Sequence, residues 1–449
     1  MTTIVQHQAA LRAGPTTSAD LVDAALARIE APQGEGARVF THVYADQARA
    51  AARAADKLRA AGLSRSAIDG LPISIKDLFD VAGETTLAGS VVLQGEPAAS
   101  ESAVIVKRLQ AAGAVLVGKT NMTEFAYSGL GINPHYGTPK NPWDRATGRI
   151  PGGSSAGAAV SVSDAMAVAG IGSDTGGSVR IPAALCGLTG FKPTARRVST
   201  RGALPLSVNL DSIGPIAASV ACCAQLDAIL AGEECSPLVA ARLRGLRLAV
   251  PTTVVLDGMD VHVAASFAAV LTRLSAAGAQ ITEIAVPAFS ESQAINAKGG
   301  FTAAEAWAWH REVIARSAAR YDPRVVSRIA RGEAMSAADY IDLLGARARW
   351  IKDVEATIAG YDALLLPTVP VVAPVIADLV ASDEAYFRAN GLILRNPTMI
   401  NFLDGCALSL PCQAPGNAPV GLMVAGPAMS DQRILAIGLA IEESLRPAS

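Results

Sequence analysis

Apolar residues recur at helical spacing over residues 18–31 and 45–61, and Ser18 stands where an N-cap is expected. After residue 61 the pattern shortens. Apolar runs at 71–76, 114–118 and 165–171 alternate with helical patterns such as 102–112 and 155–164. Runs this short, bounded by Gly, Pro and polar residues, read as strands. Strands alternating with helices predict an α/β sandwich, a sheet with helices covering both faces. Residues 259–360 read as mainly helical, with one strand-like segment at 280–286, before Leu364, Leu365 and Leu366 resume the sheet. A helix over 430–445 closes the chain. No repeat, low-complexity tract or linker interrupts the pattern, which predicts one domain over 1–449 with 259–360 covering the substrate.

Composition narrows the class. With 449 residues, 51% of them hydrophobic, the chain can bury a large core, and a net charge of -2 leaves no basic footprint for nucleic acid. The first fifteen residues lack the apolar core of a signal peptide, and no stretch reads as membrane-spanning. Six scattered cysteines make no disulfide framework, so a reducing cytoplasm is expected. The near-neutral surface leaves partners open and is compatible with a homodimer.

Two glycine clusters carry serines: Gly152-Gly153-Ser154-Ser155-Ala156-Gly157 and Asp174-Thr175-Gly176-Gly177-Ser178. Serine needs a neighbouring base to become a nucleophile. The five histidines (His7, His42, His135, His262, His310) all lie away from both clusters in sequence. Lysine can serve if burial lowers its pKa and keeps it neutral, whereas arginine does not deprotonate. Of eight lysines, Lys76 alone follows an Ile-x-Ile alternation, with Ser74 two residues earlier on the same strand face. The second cluster offers closely spaced backbone N–H groups for an oxyanion hole. Ser178 is thus the expected nucleophile, with Thr175, Gly176, Gly177 and Ser178 as candidate donors.

These segments resemble the amidase signature family, hydrolases with a Ser, cis-Ser, Lys triad. The similarity runs from Lys76-Asp77 through Gly118-Lys119-Thr120-Asn121-Met122, Asn141-Pro142-Trp143 and the two glycine clusters. It continues to Gly190-Phe191-Lys192-Pro193-Thr194, Asp211-Ser212-Ile213-Gly214-Pro215, Pro367-Thr368-Val369-Pro370 and Pro419-Val420-Gly421-Leu422. The resemblance implies the amidase signature fold, one large mixed β-sheet flanked by helices on both faces, with Ser178 acylated, Lys76 the ultimate base and Ser154 the proton relay. Ser154 lies 24 residues before Ser178, the family's separation. It also implies a cis peptide bond between Gly153 and Ser154, and a supporting hydrogen-bonding role for Ser155. The implied activity is cofactor-free and metal-independent cleavage of a small carboxamide, anilide or carbamate-like C–N bond.

Competing patterns fit less well. A phosphate-binding P-loop needs Gly-Lys-Ser/Thr where this chain has Gly157-Ala158-Ala159, and Thr175 stands where a dinucleotide fingerprint wants glycine. Gly153-Ser154-Ser155-Ala156-Gly157 formally matches the nucleophile elbow of α/β-hydrolases, but residues 141–151 are polar and rich in Pro and Gly, unlike the strand that elbow requires. Cys186 reads as a small buried hydrophobe, and Cys222-Cys223 does not have zinc-site spacing. For substrate binding the candidates are Tyr127, on a loop over 126–136 expected to bring His135 near the nucleophile turn as well, and Trp307, on a helix with Trp309 and His310. Arg180 is a further candidate, although a structural role also suits it. An amidotransferase subunit of the kind that amidates mischarged tRNA shares the triad and is the alternative function. A scaffold on a dead amidase fold does not suit a chain in which every triad position is filled.

Overall fold

The structure, a computed structural model, describes residues 1–446. Its centre is one 11-stranded sheet in the order β1-β3-β2-β4-β6-β5-β10-β11-β9-β7-β8. The strands are β1 (Phe40–Val43), β2 (Pro72–Lys76), β3 (Val115–Thr120), β4 (Ala169–Asp174), β5 (Thr189–Lys192), β6 (Ser212–Ala217), β7 (Arg247–Pro251), β8 (Gln280–Ile284), β9 (Ala363–Pro367), β10 (Cys406–Pro411) and β11 (Gly421–Gly426). Parallel pairs (β2 with β3 and β4, β7 with β8 and β9) flank an antiparallel centre running from β4 through β6, β5, β10 and β11 to β9. The sheet is therefore mixed, as expected.

Most predicted elements are present with shifted ends. The first amphipathic helix is Ser18–Glu30, but its N-cap is Thr17, whose side chain accepts from the Asp20 N–H in a capping box. Ser18 is instead buried, its N–H donating to Asp56. The run at 165–171 becomes a strand only from Ala169, because the parallel pairing of Ile73 with Ala169 sets where the ladder begins. Between residues 259 and 360 the structure is mainly helical, with β8 its one strand, which ends at Ile284.

This topology positions the serine clusters. β2 and β4 are parallel neighbours, so Lys76 and Asp174, each the last residue of its strand, emerge side by side at the same end of the strands. The chain leaves β4 through the turn at 175–179 and enters the helix Arg180–Leu185. The Gly152 to Ser155 loop follows irregular chain and opens the buried helix Ala156–Ser163. A strand-borne nucleophile elbow is thereby excluded for this loop. Glycine is required where loop and strand meet: a Cβ on Gly172 would lie 2.5 Å from Ser155 Oγ.

Candidate active site

Lys76 is fully buried at the end of β2, and its Nζ lies 2.7 Å from Ser154 Oγ and 2.8 Å from Ser173 Oγ. Burial pulls its pKa down from 10.5 to about 7, although Asp211 and Asp174 each raise it. Desolvation outweighs two nearby carboxylates here, leaving an amine that can be neutral near neutral pH. Ser74, on the same strand face, turns to Ser161 Oγ at 2.8 Å and joins β2 to the helix behind it.

Lys76 is not the only buried lysine. Lys119 and Lys192 are also enclosed at strand ends, although neither follows an Ile-x-Ile alternation. Lys192 is held by the carbonyls of Pro193 and Gly405, and burial lowers its pKa to about 8. Lys119 Nζ lies 3.6 Å from Asp77 Oδ1, too far for a hydrogen bond. Lys76 alone reaches a serine of the glycine clusters among the described residues.

The peptide bond between Gly153 and Ser154 is cis. Gly153 N–H donates to Gly129 O at 2.8 Å, and Ser154 O accepts from Thr123 N–H at 3.1 Å, which fixes the loop on both sides of that bond. Ser155 ties its loop to β4 and the turn that follows it: its N–H donates to Ser178 O at 3.2 Å and its hydroxyl to Ser173 O at 3.3 Å. Ser178 Oγ makes no hydrogen bond to the protein among the described residues, and Ser178 lines a cavity of about 520 Å³. The expected relay is thus joined from Lys76 to Ser154 and open between Ser154 and Ser178.

The turn after β4 is organised by Asp174. Its carboxylate accepts from the backbone N–H groups of Gly177 (2.8 Å) and Val179 (3.1 Å) and pairs with the Arg180 guanidinium at 2.8 and 3.0 Å. Burial alone would raise the Asp174 carboxyl, but Arg180 overrides it and holds the pKa far below the usual range. The expectation that Gly177 supplies an oxyanion donor is corrected: that N–H is committed to Asp174. The N–H groups of Thr175, Gly176 and Ser178 have no acceptor within the protein among the described residues and remain the candidate donors. Gly177 has φ 123°, and a Cβ there would lie 2.6 Å from Ile181 and Pro397, so the turn accepts only glycine at this point.

Arg180 is the second correction. The pairing with Asp174 and contacts to Pro397 O, Asn401 Oδ1 and Met423 Sδ occupy its fully buried guanidinium, so it braces the turn and does not face substrate. Thr175 Oγ1 donates to Asp211 at 2.5 Å, and Asp211 also accepts from the N–H groups of Leu206 and Ser207. Burial pushes the Asp211 carboxyl up to about 6, against the pull of these hydrogen bonds.

Tyr127 does line the cavity, its hydroxyl 3.3 Å from Thr302 Oγ1. Trp307 does not: it is half-buried against the main core, away from the cavity lining. Trp309 lies in a separate shallow groove, and His310 is buried, bonded to Tyr321 OH and pushed down to about 3 by desolvation. His135 pairs with Glu124 at 2.8 Å and is also outside the cavity. Phe289 and Phe301, from the helical region after residue 259, form part of the wall.

Sequence reasoning missed Ser173, Asp174, Asp211 and the helix Asp383–Phe402, which forms a cavity wall. The polar ending of the apolar strand, Gly172-Ser173-Asp174, was a usable signal for the first two; the wall helix carries none. Among the described residues no group of three His, Cys, Asp or Glu side chains is placed to hold a metal ion, and no helix is long and apolar enough to cross a membrane.

This arrangement can be set beside known proteins. The family model for Amidase matches residues 20–435. The chain belongs to the amidase family. It is 36% identical to the 2-amino-5-chloromuconic acid deaminase of Comamonas testosteroni, over 98% of this chain and 95% of that protein. A glutamyl-tRNA(Gln) amidotransferase subunit from Chloroflexus aurantiacus is 35% identical, over 97% of this chain and 95% of that one. A crystal structure of an amidase superposes with a TM-score of 0.88 at 33% identity, covering 99% of this chain and 100% of that one. The fold is that of the amidase signature enzymes, and the protein is a hydrolase acting on C–N bonds.

Proposed function

We propose that this amidase cleaves a small carboxamide, anilide or carbamate-like C–N bond through an acyl-enzyme on Ser178. The observation that carries the reading is the 2.7 Å contact between the buried Lys76 amine and Ser154 Oγ. A neutral Lys76 accepts the Ser154 proton while Ser154 accepts that of Ser178, and Ser178 Oγ attacks the substrate carbonyl. The N–H groups of Thr175, Gly176 and Ser178 donate to the oxyanion. The proton then returns through Ser154 to the leaving nitrogen, the C–N bond breaks, and the amine departs. Water attacks the resulting ester by the same relay. Catalytic hydrogen bonds tighten in the substrate complex, which is where the gap between Ser154 and Ser178 closes.

Mass spectrometry of protein quenched during turnover of a slow anilide tests this directly. A mass increase equal to the acyl group less the hydroxyl hydrogen it replaces, located on the peptide bearing Ser178 and lost in Ser178→Ala, is expected. Turnover by Ser178→Ala at the wild-type rate sinks the reading.

A second reading has support in the amidotransferase relatives: a glutamine-hydrolysing subunit that passes ammonia to a partner. Hydrolysis of simple amides by the isolated chain favours the free-standing enzyme, whereas glutaminase activity that needs an added partner favours the subunit.

A further inference from the structure

The Ser178 cavity contains two arginines and no acidic side chain. Its lining includes Arg328 and Arg395 but neither Asp nor Glu, and neither guanidinium is ion-paired among the described residues. Arg328 donates to the Tyr127 carbonyl, and its guanidinium lies 4.3 Å from that ring's centroid, so it is engaged in holding the wall. Arg395 is different. Its contacts are two neutral acceptors, Val255 O at 3.1 Å and Asn396 Oδ1 at 3.0 Å, and its half-buried guanidinium keeps donors for a ligand. Burial disfavours this charge, only partly offset by Asp257 at longer range. By contrast Arg180, at the nearby turn, is satisfied by Asp174.

The position of Arg395 gives the unpaired charge a use. Thr398 Oγ1 donates to Gly176 O at 3.3 Å, so the helix Asp383–Phe402 touches the candidate oxyanion turn at Thr398. Arg395 precedes Thr398 by three residues, about 4.5 Å along the helix axis, and lies on the same cavity-lining face. The same cavity is lined by the apolar side chains of Leu210, Phe289, Phe301 and Phe402. We propose that the substrate is an amide carrying a carboxylate a few carbons from the scissile carbonyl, and that Arg395 is the seat for that carboxylate. The planar guanidinium fork matches a carboxylate in geometry and charge, and the apolar wall takes the carbon chain. This inference rests on the amidohydrolase reading of the Ser178 site.

The test uses the full chain carrying Ser178→Ala, so that binding is measured without turnover. Calorimetric titration compares succinamate, glutaramate and adipamate with butanamide, pentanamide and hexanamide. At least one acid should bind on the order of 10- to 100-fold more tightly than its neutral counterpart, the range for a charged hydrogen-bonded contact. Adding Arg395→Gln should abolish that preference, and Arg395→Lys should keep only part of it, because the charge remains but the fork does not. Should Arg395→Gln melt before binding can be measured, the Arg395→Lys protein is decisive: an undiminished preference overturns the proposal. Acids that bind no better than neutral amides at every length, or not at all, overturn it without any Arg395 variant. Loss of the preference in Arg328→Gln but not in Arg395→Gln overturns the assignment to Arg395. Turnover by protein with Ser178 intact is read separately: selective acid binding without hydrolysis would sink the Ser178 amidohydrolase reading and leave the carboxylate seat standing.

Discussion

Asp174 and Arg180 form a bidentate pair in which both side chains are wholly buried, and the same carboxylate fixes the backbone of Gly177 and Val179. The pair is therefore the frame of the turn that presents Ser178. A buried ion pair adds little over a well-packed apolar pair, but removing one partner strands the other. Arg180→Gln should cost about 3–5 kcal/mol of stability on that account. Chemical denaturation measures the loss, and a variant within about 1 kcal/mol of wild type, well below that range, would show that Asp174 is satisfied without Arg180.

Ser178→Ala should reduce turnover to background, and Lys76→Ala and Ser154→Ala should each lower kcat by roughly 10⁴-fold or more. Groups that act as one relay are not additive, so Lys76→Ala combined with Ser154→Ala should be little worse than either alone. Steady-state kinetics on one chromogenic anilide decides this; independent, multiplying losses would separate the two residues.

The pH profile carries a sign. Only neutral Lys76 can accept a proton, so kcat/KM should rise as pH climbs through about 7, the value to which burial lowers this amine, and fall on the acid side. Asp211 raises the Lys76 pKa. Asp211→Asn removes that charge and should move the acid limb to lower pH, while releasing Thr175 should also lower kcat. A limb that stays in place or moves upward assigns the titration to a different group.

Substrate preference should follow the cavity wall. Tyr127→Ala removes a lining ring and should alter the kcat/KM ratio of aromatic to short aliphatic amides by an amount on the order of 1–3 kcal/mol. Trp307→Ala should leave that ratio unchanged and lower the melting temperature, because Trp307 packs on the core. An altered ratio in Trp307→Ala would return this side chain to the pocket.

The sequence by itself determined what local chemistry and periodicity decide. A lysine after Ile-x-Ile, a serine-bearing glycine turn and strand–helix alternation singled out Lys76 and Ser178 on an α/β fold, and the family resemblance added Ser154; in the structure the parallel strands β2 and β4 end side by side, and Ser154, on a separate loop, contacts Lys76. Only the tertiary structure decided which neighbours those residues meet. Lys119 and Lys192, which the Ile-x-Ile pattern did not single out, are buried as well, Lys192 against the carbonyl of Gly405, 213 residues away. Gly177 looked like a free donor until Asp174, three residues before it, folded back on its N–H. Arg180 could have faced substrate or core, and Pro397, Asn401 and Met423, more than two hundred residues away, settled it for the core. Arg395 gave no signal because its position depends on packing the helix Asp383–Phe402 against the turn at Gly176, a contact spanning 222 residues. Periodicity reports which face of an element is apolar; it carries no information about which distant element covers that face, and that is where the cavity is made.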